Sequence, residues 1–140
     1  MISRQGAGGE SGNVVVEFVG VMGVLMVPAI IAILVFSTLI GARMAVDAAA
    51  RDAARAYVRA ESSEQGRVRA QAMADLALRE RGIDAPARLE VRCSANPCLS
   101  PSGTIEVRVV AAVSLPLVGG RADVGQTHTF AVDEFRQVRQ

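Results

Sequence analysis

The sequence predicts an α+β protein in which a long N-terminal transmembrane helix is followed by a second helix packed on a small three-stranded antiparallel sheet. Three observations predict it. Residues 18–42 carry no charge, helix-compatible sequence rich in Ala and Arg continues behind them, and beyond Pro86 the apolar residues switch to alternation. With 140 residues there is room for one domain and an appendage, and the hydrophobicity is concentrated in one stretch rather than spread.

As a helix the uncharged run rises about 37 Å against a hydrocarbon core of about 30 Å, so it spans with some tilt. A chain this small cannot surround such a helix in a soluble core. Pro28 falls inside the run, where a membrane helix can kink and survive. Gly20, Gly23 and Gly41 are positions where another backbone can approach. Residues 1–12 are small and polar with Gly6, Gly8 and Gly9, so no helix is expected to begin there. The run lacks the Ala-x-Ala exit of a secretory signal and is expected to stay in the protein.

Helix is expected to continue out of the membrane through residues 43–60. Arg51, Arg55 and Arg59 recur every four residues as a solvated face, and Val46, Ala50, Ala53 and Tyr57 form an apolar stripe. Ser62 and Gln65 have capping-box spacing for a second helix running to about Arg81, with Gly82 as its left-handed C-cap residue. Val68, Ala72, Leu76 and Ile83 are its expected apolar edge.

In the strand region Leu89, Val91 and Cys93 alternate with Arg88, Glu90 and Arg92, and a turn follows at Asn96 and Pro97. Ile105, Val107, Val109, Ala111, Val113 and Leu115 alternate next, with Glu106 and Arg108 on the other face, as the longest strand. Through a loop at Gly119 and Gly120 comes a third, with His128, Phe130 and Val132 against Thr127, Thr129 and Ala131. Three strands with one apolar face need a cover, and the second helix is the expected one. His128 reads as a strand residue packed in this layer rather than as a catalytic base.

Cys93 and Cys98 flank four residues, which suits a disulfide across a tight loop and differs from the CxxC of redox sites. Such a bridge implies an oxidising compartment and contributes at most about 2 kcal/mol in the chain-entropy model. With one His, a metal site lacks ligands, and neither a metal nor a cofactor is expected. A net charge of +1 with Arg scattered among acids gives no reason to expect nucleic acid as a partner. No triad, paired acids or phosphate loop stands out, so no enzyme activity is expected.

Glu17 stands at the very edge of the apolar run and is followed by Phe18. A charge at bilayer depth costs about 2.5 to 3.5 kcal/mol, so such a residue either snorkels or functions. The stretch Gly12-Asn13-Val14-Val15-Val16-Glu17-Phe18 resembles the processing motif of type IV pilin-like proteins, in which a prepilin peptidase cuts after Gly and a Glu stands fifth in the mature chain. More of the chain resembles one branch, the TadE-like family of minor pilins or pseudopilins from tight-adherence (Tad, or Flp) pilus systems. The matching features are Gly12, Glu17 with Phe18, Pro28 within the run, and Ala-Ala-Arg at residues 49–51 and 53–55.

The resemblance implies a cleaved leader at residues 1–12, a transmembrane helix with an extramembrane extension at 13–60, and a small exported α+β domain at 61–140. It implies cleavage between Gly12 and Asn13, and pairing of Glu17 with the new amino terminus of a neighbouring subunit. The partners it implies are the membrane, a prepilin peptidase, other pilin-like subunits and the pilus assembly platform. The location is a bacterial inner or cytoplasmic membrane with the N-terminus cytoplasmic and the C-terminal part exported, at the pilus or cell surface. Arg43, Arg51, Arg55 and Arg59 behind the span, against Arg4 ahead of it, vote for the opposite orientation by the positive-inside rule. The cysteine loop and the leader outweigh them in this reading. Two other functions compete: a generic single-pass anchor for a cell-surface binding domain, and a thiol-active membrane enzyme using Cys93 and Cys98.

Overall fold

The computed structural model describes residues 11–135, with side chains from Val14 onward. Helix α1 (Ser11–Val58) and helix α2 (Ser63–Arg79) precede strands β1 (Arg88–Cys93), β2 (Thr104–Ser114) and β3 (Arg121–Ala131). The strands form one antiparallel sheet in the order β1-β2-β3. The fold class is the one the sequence predicts. Residues 1–10 of the expected leader lie outside the described residues, and α1 starts at Ser11, earlier than expected.

At 48 residues α1 is about 72 Å long, and it runs through Pro28 without a break. Its two halves meet different surroundings. Val14 to Ile30 are exposed all round, as an apolar surface with no protein cover. From Ala42 onward the same helix enters the core, where Val46, Ala49, Ala50, Ala53, Ala54 and Tyr57 are fully buried. Arg51, Arg55 and Arg59 face solvent as expected. The Ala-Ala-Arg repeats thereby acquire a physical reason: a four-residue period keeps paired alanines inward and each arginine outward. Alanines bury little area, but they let neighbouring elements come close on two sides of the helix.

One of those sides receives the sheet. Ile105, Val107, Val109, Ala111 and Val113 are buried along one face of β2, while Arg88, Arg92, Glu106 and Asp123 form ion pairs across the other. The second side of α1 receives α2. Here the cover differs from the expectation: α1 lies across β2 and β3, whereas α2 packs on α1 and reaches the sheet at β1. The apolar edge expected on α2 differs too. Val68 and Leu76 are 63% and 50% exposed, and Ala72 is exposed, although Ile83 does pack against the core. The buried face is instead Gly66, Ala70, Ala74, Ala77 and Leu78. Small residues win because a helix sitting directly on α1 gains more from close backbone approach than from bulk. Val68 and Ala72 instead line an open groove, opposite Leu89 and Val91 of β1.

The punctuation of α2 follows the sequence. Ser62 Oγ accepts from the Gln65 amide at 3.2 Å, and Gln65 Oε1 accepts in return from the Glu61 amide at 3.1 Å. At the other end Gly82 has φ 75°, and the Ile83 amide donates to the Leu78 carbonyl at 3.0 Å, closing a Schellman turn. β3 begins at Arg121, well before the alternation around His128 that predicts it, because Ala122, Val124 and Gln126 pair with β2 without a strong apolar signature.

Gly66 rests on the ring of Tyr57, where an added Cβ would lie 3.1 Å from Cδ2. Since Tyr57 is fully buried and cannot yield, Gly66→Ala is expected to destabilise the protein by about 1 to 3 kcal/mol despite better helix propensity. The Tyr57 hydroxyl is buried without a hydrogen-bond partner among the described residues. Tyr57→Phe is therefore expected to hold or raise stability, by up to about 1 kcal/mol. Thermal melting of both variants in detergent checks the pair.

Candidate functional site

The residues that the sequence singles out fall at opposite ends of the molecule. Gly12 and Asn13 lie in the first turn of α1, and Glu17 and Phe18 follow within the next. Positions 13 and 17 stand one turn apart on the same helix face. Phe18 is 61% exposed, Glu17 is exposed, and none of the ion pairs among the described residues involves Glu17.

Cys93 and Cys98 close a disulfide at the far end of β1, with 5.1 Å between their Cα atoms. Cys93 stands opposite Ile105 at the start of β2, and the Ser94 amide bonds the Thr104 carbonyl at 3.0 Å. The bridge therefore fastens a loop whose two ends the sheet already holds together. Leu99 from this loop is buried and joins the core.

Two polar clusters escape the sequence reading. His128 on β3 places Nε2 2.8 Å from Asp47 Oδ1 on α1, and the Arg51 guanidinium donates to Asp47 Oδ2 at 3.0 Å. The hydrogen bond from His128 is the main cause that holds the Asp47 carboxyl below its ordinary value, against a partial desolvation that pushes the other way. The contact joins helix to sheet across 81 residues of sequence, and no local pattern signals it. The second cluster is on α2. Asp75 Oδ1 accepts from the Ala87 amide at 2.8 Å, and Gln71 Nε2 donates to the Ala87 carbonyl at 2.8 Å. These two side chains, one turn apart, clamp both polar groups of the residue that leads into β1. Among the described residues no three His, Cys, Asp or Glu side chains come together as a metal site.

An exposed apolar half-helix bearing a carboxylate, Glu17, near its start thus runs on into the core of a small α+β head. Residues 12–55 match the family model described as TadE-like protein. The TadE-like segment covers about a third of the chain and ends inside the core, after the second Ala-Ala-Arg repeat. It contains Gly12, Asn13, Glu17, Phe18 and Asp47, while α2, the sheet and the disulfide lie outside it. The searches of curated proteins and of solved structures found no match. The apolar half of the TadE-like segment is long and apolar enough to cross a membrane and fits a single-pass anchor.

Because Asp47 ionises more readily in the folded state, its carboxylate stabilises the fold above its ordinary pKa, and that contribution is lost as pH falls through the lowered value. Melting of the full chain in detergent is expected to weaken below about pH 4, and Asp47→Asn should flatten that acid limb. At neutral pH, Asp47→Asn and His128→Phe should each lower the melting temperature, with a double mutant less destabilised than the sum of the two.

Proposed function

We propose that the chain is a minor pilin-like subunit that takes part in assembling a Tad-type pilus or a related secretion filament, without an enzymatic role. The register at the start of α1 carries the reading: Gly12, then Glu17 and Phe18 at the edge of the apolar run, inside the segment that matches the TadE-like model. In this reading a prepilin peptidase cuts between Gly12 and Asn13. The new amino group on Asn13, with an ordinary pKa of about 7.7 to 8.0, is largely protonated near neutral pH. Glu17 of one subunit pairs with that amine on a neighbour, which offsets the desolvation of both charges and sets the axial register. The absence of any described ion pair to Glu17 within the chain supports a partner in trans.

The same reading places the N-terminus in the cytoplasm and the head outside it. The disulfide favours an oxidising compartment. Arg43, Arg51, Arg55 and Arg59 lie close behind the span, where the positive-inside rule counts them, and in this reading the disulfide and the leader outweigh that vote. A generic anchor presenting a binding domain is the second reading, favoured by the open groove between α2 and β1. Processing separates them, because an ordinary anchor keeps residues 1–12.

N-terminal sequencing of membrane fractions is expected to find Asn13 first, and Gly12→Val to block the cut. Glu17→Ala raises the hydrophobicity of the helix start, so insertion and cleavage should persist while crosslinking to other pilin-like subunits and pilus number fall. Glu17→Gln keeps size and hydrogen bonding without the charge, so it should fail in the same way. A retained leader in cells with an active peptidase, or normal piliation in both Glu17 variants, removes the proposal's support.

For orientation, Cys93 and Cys98 should react with a membrane-impermeant alkylating agent in intact cells only after reduction. Free thiols that react without reductant, and only once the membrane is opened, would place the head in the cytoplasm.

A further inference from the structure

The β2–β3 hairpin points back toward the apolar half of α1. Val107 pairs with His128, and His128 contacts Asp47, so the middle of β2 lies at the level of Asp47. Seven residues farther along β2, Ser114 lines an open groove together with Thr38, Gly41 and Ala42 of α1 and with Arg121 at the start of β3. Travelling along β2 from Val107 to Ser114 is thus travelling back along α1 from Asp47 into the uncharged run. The hairpin tip, residues 115–120, projects beyond Ser114 in the same direction.

The tip is built in an unusual way for a solvent-facing turn. The Val118 amide donates to the Pro116 carbonyl at 2.8 Å, a three-residue turn with Leu117 at its centre and φ 66°. A branched apolar residue in the left-handed region costs energy, and turns facing water use Gly or Asn there. Leu117 is 72% exposed and Val118 57% exposed, so the strain is not repaid by packing within the chain. Exposed Arg121 follows the tip, and exposed Arg43 follows the uncharged run. Apolar knobs at the end of a hairpin, backed by arginines and level with the end of a membrane helix, match the layering of a bilayer surface, acyl chains first and phosphates behind.

We propose that this hairpin tip is a second membrane contact: Leu117 and Val118 enter the interfacial layer of the bilayer that α1 spans, with Arg43 and Arg121 among the lipid phosphates. The proposal rests on α1 being a transmembrane helix. It gives the head two attachments, one through the helix and one through the sheet, so that the sheet stands at a fixed tilt to the lipid surface.

The chain contains no tryptophan, so a single introduced one reports alone. The full chain is reconstituted at low density in vesicles of phosphatidylethanolamine and phosphatidylglycerol, carrying Leu117→Trp, Val118→Trp, Val24→Trp in the span or Met73→Trp on α2. Val118→Trp avoids the strained position, and far-ultraviolet circular dichroism confirms the fold of each variant. Trp at 117 and 118 should be quenched by lipids brominated near the headgroup several-fold more than Trp at 73, and should be shielded from acrylamide. Replacing phosphatidylglycerol with phosphatidylcholine should weaken the quenching, and equal quenching in both overturns the role given to the arginines. If Trp at 117 and 118 is open to acrylamide and indifferent to bromolipid while Trp at 24 is quenched, the tip stands in water and the proposal fails with the span intact. Acrylamide shielding without bromolipid quenching means that a protein surface covers the tip, which also overturns it. Loss of bromolipid quenching at 24 as well would instead overturn the transmembrane reading itself.

Discussion

Residues 11–58 form one helix, and what that helix has to satisfy changes near Ala42. From Phe18 to that point its side chains are uncharged on every face and suited to lipid; after it, two faces of alanine and one of arginine suit a helix between a sheet, a second helix and water. The head has no other element of comparable length around which to organise. β2, β3 and α2 all lie against the last turns of α1, so the apolar shaft and the centre of the core belong to the same piece of chain. Removing the helix from the head would remove Val46, Ala49, Ala50, Ala53, Ala54 and Tyr57 from the core at once.

The remaining interactions secure neighbours that this helix has already brought together. Asp47 and His128 join α1 to β3, Asp75 and Gln71 join α2 to the entrance of β1, and Cys93–Cys98 ties the loop that leads from β1 toward β2. Each is modest alone, since Asp47 and His128 stay partly open to solvent and the disulfide closes a short loop. Their value lies in where they act. An alanine-lined core offers less hydrophobic area than one built of Leu and Ile, and polar clamps at the element ends limit the sliding that such a smooth surface permits.

How much of this can be read from the sequence depends on range. The apolar half of α1, the Ser62 cap, the Gly82 stop and the β2 alternation from Ile105 to Val113 rest on residues a few positions apart, and all stand as the sequence predicts, whereas Leu115, expected in the same strand, falls just beyond it. The buried face of α2 does not, because hydropathy favours Val68 and Leu76 whereas close approach to Tyr57 and its neighbouring alanines selects Gly66, Ala70 and Ala74. β3 is legible only around His128 and Phe130, since its first half holds Ala122, Gly125 and Gln126 in place by pairing with β2 rather than by pattern. The Asp47–His128 contact leaves no local trace at all. At the candidate site, Glu17 is visible as a charge at the edge of the apolar run, Gly12 and Phe18 through the resemblance to a pilin-like processing motif, and the cysteine pair through proximity. The hairpin tip is half visible in sequence: Gly119 and Gly120 mark its loop, whereas Leu115-Pro116-Leu117-Val118 looks like the end of a strand until the turn at Leu117 is known.

With no loop or flexible joint between the apolar half of α1 and the head, the molecule has no swivel. A helix turns by about 100° and advances by about 1.5 Å per residue, so a rotation or shift imposed on α1 beyond Pro28 is carried on toward the sheet. The outer face of that sheet carries Arg88, Arg92, Glu106, Arg108 and Asp123, a fixed pattern of charge pointing to one side. Whatever packs against residues 18–42 therefore sets the compass direction in which this pattern is displayed, and neighbours gripping the shaft would aim the face without touching it.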